Sequence, residues 1–87
     1  MDTIRKLIYD RKIDEAILLL DEYIANGQTS DEAYYLRGNA YRKKGDFQQA
    51  LNNYLEAIAI NPDSPAQQAH DMLIDILNFY NKDMYNH

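Results

Sequence analysis

Among residues with acid–base or metal-binding side chains, His70 has the most suggestive surroundings, with Asp71 next to it and Asp75 five positions on. Metal sites on a helix use ligands at i and i+4, which project from one face. His70 has no carboxylate at that spacing, and Asp71 with Asp75 forms only a weak all-carboxylate pair. The second histidine, His87, stands alone at the C-terminal end. Asp63-Ser64 puts an acid beside a hydroxyl, but no histidine lies nearby in sequence to act as the base. The three glycines are isolated, so no glycine-rich phosphate loop is present, and the absence of cysteine excludes thiolate zinc sites and disulfide scaffolds. Arg42-Lys43-Lys44, the one basic run, reads as a solvated helix end that complements the helix dipole. These residues predict no catalytic centre, no cofactor and no metal, so a protein that is not an enzyme.

The same residues constrain the partner. Phosphate backbones are held by clustered Lys and Arg, whereas nine basic residues are scattered here through a chain of net charge −5. Nucleic acid is disfavoured. No stretch approaches the roughly 18 apolar residues of a membrane span, and the N-terminus mixes both signs of charge without a signal-peptide core. The expectation is a soluble cytoplasmic protein with no membrane attachment. At 46% apolar residues, 87 residues suffice for one small folded domain.

The elements that would position any site follow from periodicity and punctuation. Sliding the chain by 34 residues superimposes apolar positions: Ile13 on Phe47, Ala16 on Ala50, Ile17 on Leu51, Leu20 on Tyr54 and Ile24 on Ile58. Their i, i+3, i+4, i+7 spacing marks one face of a helix. Asn26-Gly27 ends a helix, Thr29 with Glu32 reads as a capping box, and Gly45 followed by Asp46 stops one helix and caps the next. Asn61-Pro62 closes that helix, and Ser64-Pro65 with Gln67 opens another. Five helices are predicted, over about residues 2–10, 13–26, 31–44, 47–60 and 65–82. Nothing alternates with period two, so the fold class is all-α.

The middle unit reads Tyr34-x₂-Arg37-Gly38-x₂-Tyr41, then Gly45-Asp46-Phe47, Ala50-x₃-Tyr54, Ala57 and Pro62. It resembles the tetratricopeptide repeat (TPR), a 34-residue helix-turn-helix unit that stacks into a solenoid. Tyr34 replaces the usual Trp and Arg37 the usual Leu. The resemblance implies a short right-handed TPR-type solenoid of five antiparallel helices, about two and a half repeats. Its parts are a partial repeat over 1–30, a complete one over 31–64 and a terminal capping helix over 65–87.

Physical chemistry accounts for the residue choices. A mid-helix glycine costs about 1 kcal/mol relative to alanine, so Gly38 must serve close approach of the partner helix near Ala50. Tyr34 and Tyr41 bracket that contact, and Phe47, Leu51 and Tyr54 supply bulk where the helices diverge. In the first unit Ile4 replaces the glycine, and Arg11-Lys12 stand where Gly45-Asp46 make the later turn. Both the left-handed residue and the cap are then missing, and that turn frays first. In the last unit, one inserted residue near Pro65 brings Ala69 onto Tyr34, Leu73 onto Gly38 and Ile76 onto Tyr41.

Proteins similar to this family hold a peptide or partner helix in a concave groove lined by the first helix of each repeat. Carried over, the groove positions are Glu32, Tyr35, Asn39, Arg42 and Lys43 in the complete unit, with Arg5, Ile8 and Tyr9 before them. His70, Ile74 and Leu77 follow in the last helix under the inserted-residue register. The Lys, Asn and Arg set with which some repeats clamp the acidic C-terminal tails of chaperones is absent, which disfavours such a tail as partner. The expected function is a scaffold or adaptor for a protein or peptide. The alternative is a self-association module, and the chain is expected as a monomer or weak homo-oligomer.

Overall fold

A computed structural model of the chain describes residues 1–28 and 30–80. It contains five helices: α1 (Asp2–Tyr9), α2 (Ile13–Ala25), α3 (Asp31–Lys44), α4 (Phe47–Ile60) and α5 (Ala66–Tyr80). No strand occurs among the described residues. Each helix packs on its sequence neighbour, α3 against α4 most extensively, and α1 also reaches α3. Residues 81 and 82 of the expected last helix lie outside the described residues, as do Thr29 and His87.

The caps explain where the helices start. Ser30 caps α3: its hydroxyl accepts the Ala33 N–H at 3.0 Å. Asp46 caps α4 by accepting the Gln49 N–H at 3.2 Å. The Ser64 hydroxyl accepts the Ala66 N–H at 3.1 Å, while the Gln67 side chain turns away to Asp71 instead of completing a capping box. At the end of α4, Asn61 takes an extended conformation before Pro62 and donates to Asp31 Oδ2 at 3.2 Å.

The 34-residue period recurs in the backbone. After α3, Gly45 at φ +89° donates to the Arg42 carbonyl at 3.1 Å, and Asp46 donates to that of Tyr41 at 3.0 Å. After α1, Arg11 at φ +64° donates to Ile8 at 3.1 Å, and Lys12 donates to Leu7 at 2.8 Å. This corrects the expectation that the first turn lacks its left-handed residue. Arginine takes that conformation in glycine's place, while Lys12 makes no side-chain cap.

Two apolar clusters form the core. The first joins Ile4 and Ile8 of α1, Ala16, Ile17 and Leu20 of α2, and Ala33, Leu36 and Ala40 of α3. The second joins Ala50, Tyr54 and Ala57 of α4 to Ala66 and Leu73 of α5, with Tyr34 and Tyr41 against it. Helix α3 therefore packs backward with one face and forward with another. Gly38 belongs to the forward face: a Cβ there would lie 2.6 Å from Tyr54 Cε1 and 3.2 Å from the Ala50 carbonyl oxygen. The contact expected near Ala50 is thus made chiefly by the Tyr54 ring, which is fully buried. Phe47, expected to add bulk between the helices, is 41% exposed in the first turn of α4.

Arg37 replaces the family's usual leucine by linking three helices. Its Nε donates to Asn53 Oδ1 of α4 at 2.7 Å, its Nη1 to Asp21 Oδ1 of α2 at 2.7 Å, and its guanidinium lies over the Tyr34 ring. The Asn53 amide donates in turn to the Gln49 carbonyl at 2.8 Å. No buried side-chain N or O among the described residues lacks a partner.

Candidate functional site

With its backward and forward faces buried, α3 has a third face to offer. Tyr35, Asn39 and Arg42 recur at i, i+4 and i+7, so they stack along one side of the helix. They line a depression of about 210 Å³ together with Ala69, Met72, Leu73 and Ile76 of α5. The same three residues line a second depression with Arg5 and Ile8 of α1 and with Lys43. Arg5, Glu32, Tyr35 and Pro65 border a third. Because Tyr35 of α3 borders all three, they form one groove along the first helix of each pair.

The groove floor is fixed by Tyr54 from behind. Its hydroxyl donates to Asn39 Oδ1 at 2.5 Å, which ties this groove-lining side chain to α4. The Tyr35 ring lies 6.1 Å from the Tyr54 ring at a tilt of 39°. Burial pushes the Tyr54 phenol above its ordinary pKa, and the nearby Arg42 guanidinium opposes that shift. The phenol stays protonated and remains the donor to Asn39.

Charge divides the groove unevenly. Arg5 of α1 pairs with Asp2 and, across to α3, with Glu32 at 2.5 Å, so these groups largely neutralise each other. Arg42 and Lys43 make no ion pair among the described residues. Beyond Gln68 the α5 wall is apolar: Met72 is 57% exposed and Ile76 44% exposed.

Not every carried-over position reaches the groove. Tyr9 is 84% exposed at the end of α1 and borders none of these depressions. His70 borders none either, and its Nδ1 lies 3.2 Å from Asp71 Oδ1. The hydrogen bond from His70, and secondarily that from Gln67, holds the Asp71 carboxyl below its usual pKa. Leu77 packs into the second cluster, and Ile74 is half-buried away from the groove.

The cause is a register difference. Ala66, Ala69 and Leu73 of α5 pack backward as Ala33, Leu36 and Ala40 of α3 do, 33 positions earlier. One residue is missing relative to the 34-residue period, where the sequence suggested one inserted. The counterparts of Tyr35, Asn39 and Lys43 are then Gln68, Met72 and Ile76, which are the residues found in the groove wall. The shared 0, 3, 7 spacing of Ala33, Leu36 and Ala40 and of Ala66, Ala69 and Leu73 was the available signal. No group of three or more His, Asp or Glu side chains that could hold a metal occurs among the described residues.

Helix pairs at a near-34-residue period, stacked so that their first helices share an open groove, define a helical repeat protein. Residues 31–64 match the tetratricopeptide repeat family model. The solution NMR structure of Bacteroides fragilis protein BF1650 is similar over 98% of this chain and 87% of that one, with 59% identity and a TM-score of 0.85. No curated protein matches significantly. The chain belongs to the tetratricopeptide repeat family. Such repeats generally mediate protein–protein interactions, and no described helix is long and apolar enough to cross a membrane.

Proposed function

We propose that the chain is a non-catalytic scaffold that holds a protein or peptide partner in the groove along α1, α3 and α5. The observation that carries this reading is the continuity of the groove: Tyr35, Asn39 and Arg42 border both the α1 side and the α5 side. The floor is set in place before any ligand arrives, because Tyr54 is locked between Gly38 and Asn39. Preorganisation of this kind lowers the ordering cost of binding. The groove mixes an aromatic ring, amide donors and cations with an apolar wall, a composition suited to a peptide with both backbone and side-chain contacts.

The test is affinity capture with the wild-type chain, followed by direct binding measurements on Tyr35→Ala, Arg42→Glu and Met72→Ala. Each should weaken binding of the captured partner while circular dichroism stays helical. Unchanged affinity in all three folded variants overturns the assignment. One observation favours self-association as a second reading. Phe79 is 73% exposed and continues the apolar stripe of Met72 and Ile76, so two copies could bury that stripe together. Sedimentation velocity that shows a monomer throughout a concentration series into the high micromolar range would dismiss it.

A further inference from the structure

Helix α5 carries an apolar stripe that no other described element covers. Ala69, Met72, Ile76 and Phe79 follow one another at spacings of 3, 4 and 3, which sets them along one side of the helix. Met72, Ile76 and Phe79 are 57%, 44% and 73% exposed. The helix also overruns its unit. In the 33-residue register Gly45, which ends α3, corresponds to Asn78, yet α5 continues through Tyr80. The Phe79 and Tyr80 rings pack edge to face on each other, with centroids 5.5 Å apart, and belong to neither apolar cluster. A helix that completed this pair would leave the stripe open. It would sit on Gln67, Asp71 and Ile74, the counterparts of Tyr34, Gly38 and Tyr41, and Gln67 and Asp71 are already bonded to each other on that side.

We infer that two copies of the chain pair through α5, antiparallel about a two-fold axis level with Ile74, so that Phe79 of each copy meets Ala69 of the other and Met72 meets Ile76. This rests on the self-association reading above and supplies its interface. The stripe matches itself in this direction. Ile74 lies midway between Ala69 and Phe79 and between Met72 and Ile76, so an antiparallel pair sets the smallest residue of the stripe against the largest at both ends. A parallel pair would set Phe79 against Phe79 and leave a gap at Ala69. There is room for the ring. Ala69, Met72 and Ile76 border, with Tyr35, the depression of about 210 Å³, and an apolar cavity of about 150 Å³ already holds benzene. The exposed parts of Met72, Ile76, Phe79 and the flanking Tyr80 amount to roughly 500 Å² per copy. The pair then buries about 1,000 Å², the lower bound of a specific interface, so the dimer is weak, with a dissociation constant on the order of 100 µM. Because Phe79 of the second copy lies against the groove wall, the dimer and a groove partner exclude each other.

Sedimentation equilibrium of the full 87-residue chain, in a series that reaches about ten times that dissociation constant, is the first test. The expected result is a monomer–dimer equilibrium that Phe79→Lys weakens at least about tenfold while circular dichroism stays helical. Each copy carries a net charge of −5, so salt should tighten the dimer, the reverse of a contact made by ion pairs. The chain has no cysteine, so single cysteines report the register. Chains with Ala69→Cys and chains with Phe79→Cys are mixed and treated with a thiol cross-linker that spans about 8 Å, the separation of packed helices. They should join to each other and not to themselves, because an antiparallel pair holds the two copies of either position about 15 Å apart. Phe79→Cys chains that cross-link to themselves, or a mixture that yields no mixed product, overturn the antiparallel pairing. A dimer indifferent to Phe79→Lys overturns the α5 interface and leaves self-association standing. A monomer throughout the series overturns both and leaves the groove reading untouched.

Discussion

The two turns at the 34-residue period invite a direct exchange of residues. Arg11 and Gly45 occupy the same left-handed position, and the pairs of backbone hydrogen bonds around them match. Giving the first turn the chemistry of the second, as Arg11→Gly with Lys12→Ser, should stabilise the chain. A non-glycine residue in the left-handed region costs about 1–2 kcal/mol, and glycine's greater freedom in the unfolded chain returns about 0.5–1 kcal/mol of that. The first substitution then yields a net gain of about 0.5–1 kcal/mol. Lys12 precedes α2 with dihedrals close to those of Asp46 (φ −86°, ψ 62° against φ −90°, ψ 82°) but makes no cap bond. A serine there can accept the Glu15 N–H, as Asp46 accepts that of Gln49, for about 1 kcal/mol. Serine is preferred to aspartate because Asp14 and Glu15 already follow.

Together the two changes give about 1.5–2 kcal/mol. Unfolding entropy near 2.1 cal/mol/K per residue over 87 residues converts this into a rise in Tm of about 8–11 °C. Thermal and urea unfolding followed by helical circular dichroism measures it. Gly45→Ala is the mirror control. A Cβ there meets nothing within 4 Å, so its loss of about 1 kcal/mol is purely conformational. A Tm unchanged or lowered by Arg11→Gly, alongside a lowered Tm for Gly45→Ala, would refute the equivalence of the two turns. In the wild-type chain, amide exchange should be faster at Arg11–Ile13 than at Phe47–Ala50.

Gly38→Ala should destabilise by about 1–2 kcal/mol in urea unfolding, because the new Cβ overlaps the buried Tyr54 ring by more than the gain in helix propensity offsets. Arg37→Leu restores the family's usual residue, yet should cost about 1–2 kcal/mol because it strands Asn53, which is 4% exposed. Pairing it with Asn53→Leu should recover most of that loss in a double-mutant cycle. The raised pKa of Tyr54 predicts its pH dependence: the folded state favours the neutral phenol, so this stabilisation is complete below pH 10 and is lost as pH rises through the folded value. Absorbance near 295 nm should show one tyrosine ionising later than the rest, and Tyr54→Phe should flatten alkaline unfolding.

Local chemistry made much of the fold legible. Gly45-Asp46 and Asn61-Pro62 each act within one turn, and α3 ends, and α4 begins and ends, where those residues place them. The α3 wall of the groove follows as directly, since two buried faces leave one open. What escaped depends on packing between units. Thr29 and Ser30 are both sound caps on paper, and only the reach to the Ala33 N–H selects Ser30. An arginine does not announce a positive φ; here the return of the chain into α2 imposes it. In α5, apolar residues cover more than one face, so Ala69, Leu73 and Ile76 fit a one-residue insertion as well as Ala66, Ala69 and Leu73 fit a deletion. Backward packing on α4 decides for the deletion and brings Met72, rather than His70, to the groove.

The division of α3 into three faces also decides which variants can report on binding alone. Ala33, Leu36 and Ala40 face the first cluster, and Tyr34, Gly38 and Tyr41 face α4, so changes at either set alter stability first. Asn39 looks like an open-face residue but is coupled to the forward face through the Tyr54 hydroxyl. Asn39→Ala strands that phenol, which has no exposed surface, and should cost about 1–3 kcal/mol before any ligand is considered. A weakened complex from Asn39→Ala therefore mixes two effects, whereas Arg42 and Lys43 are exposed and their neutral variants should stay within about 0.5 kcal/mol of wild type. The double variant Asn39→Ala/Tyr54→Phe separates the effects, because removing both partners of the bond leaves no stranded phenol. If urea unfolding shows the double variant no more stable than Asn39→Ala alone, the Tyr54 bond does not fix the floor, and the preorganised groove fails with it.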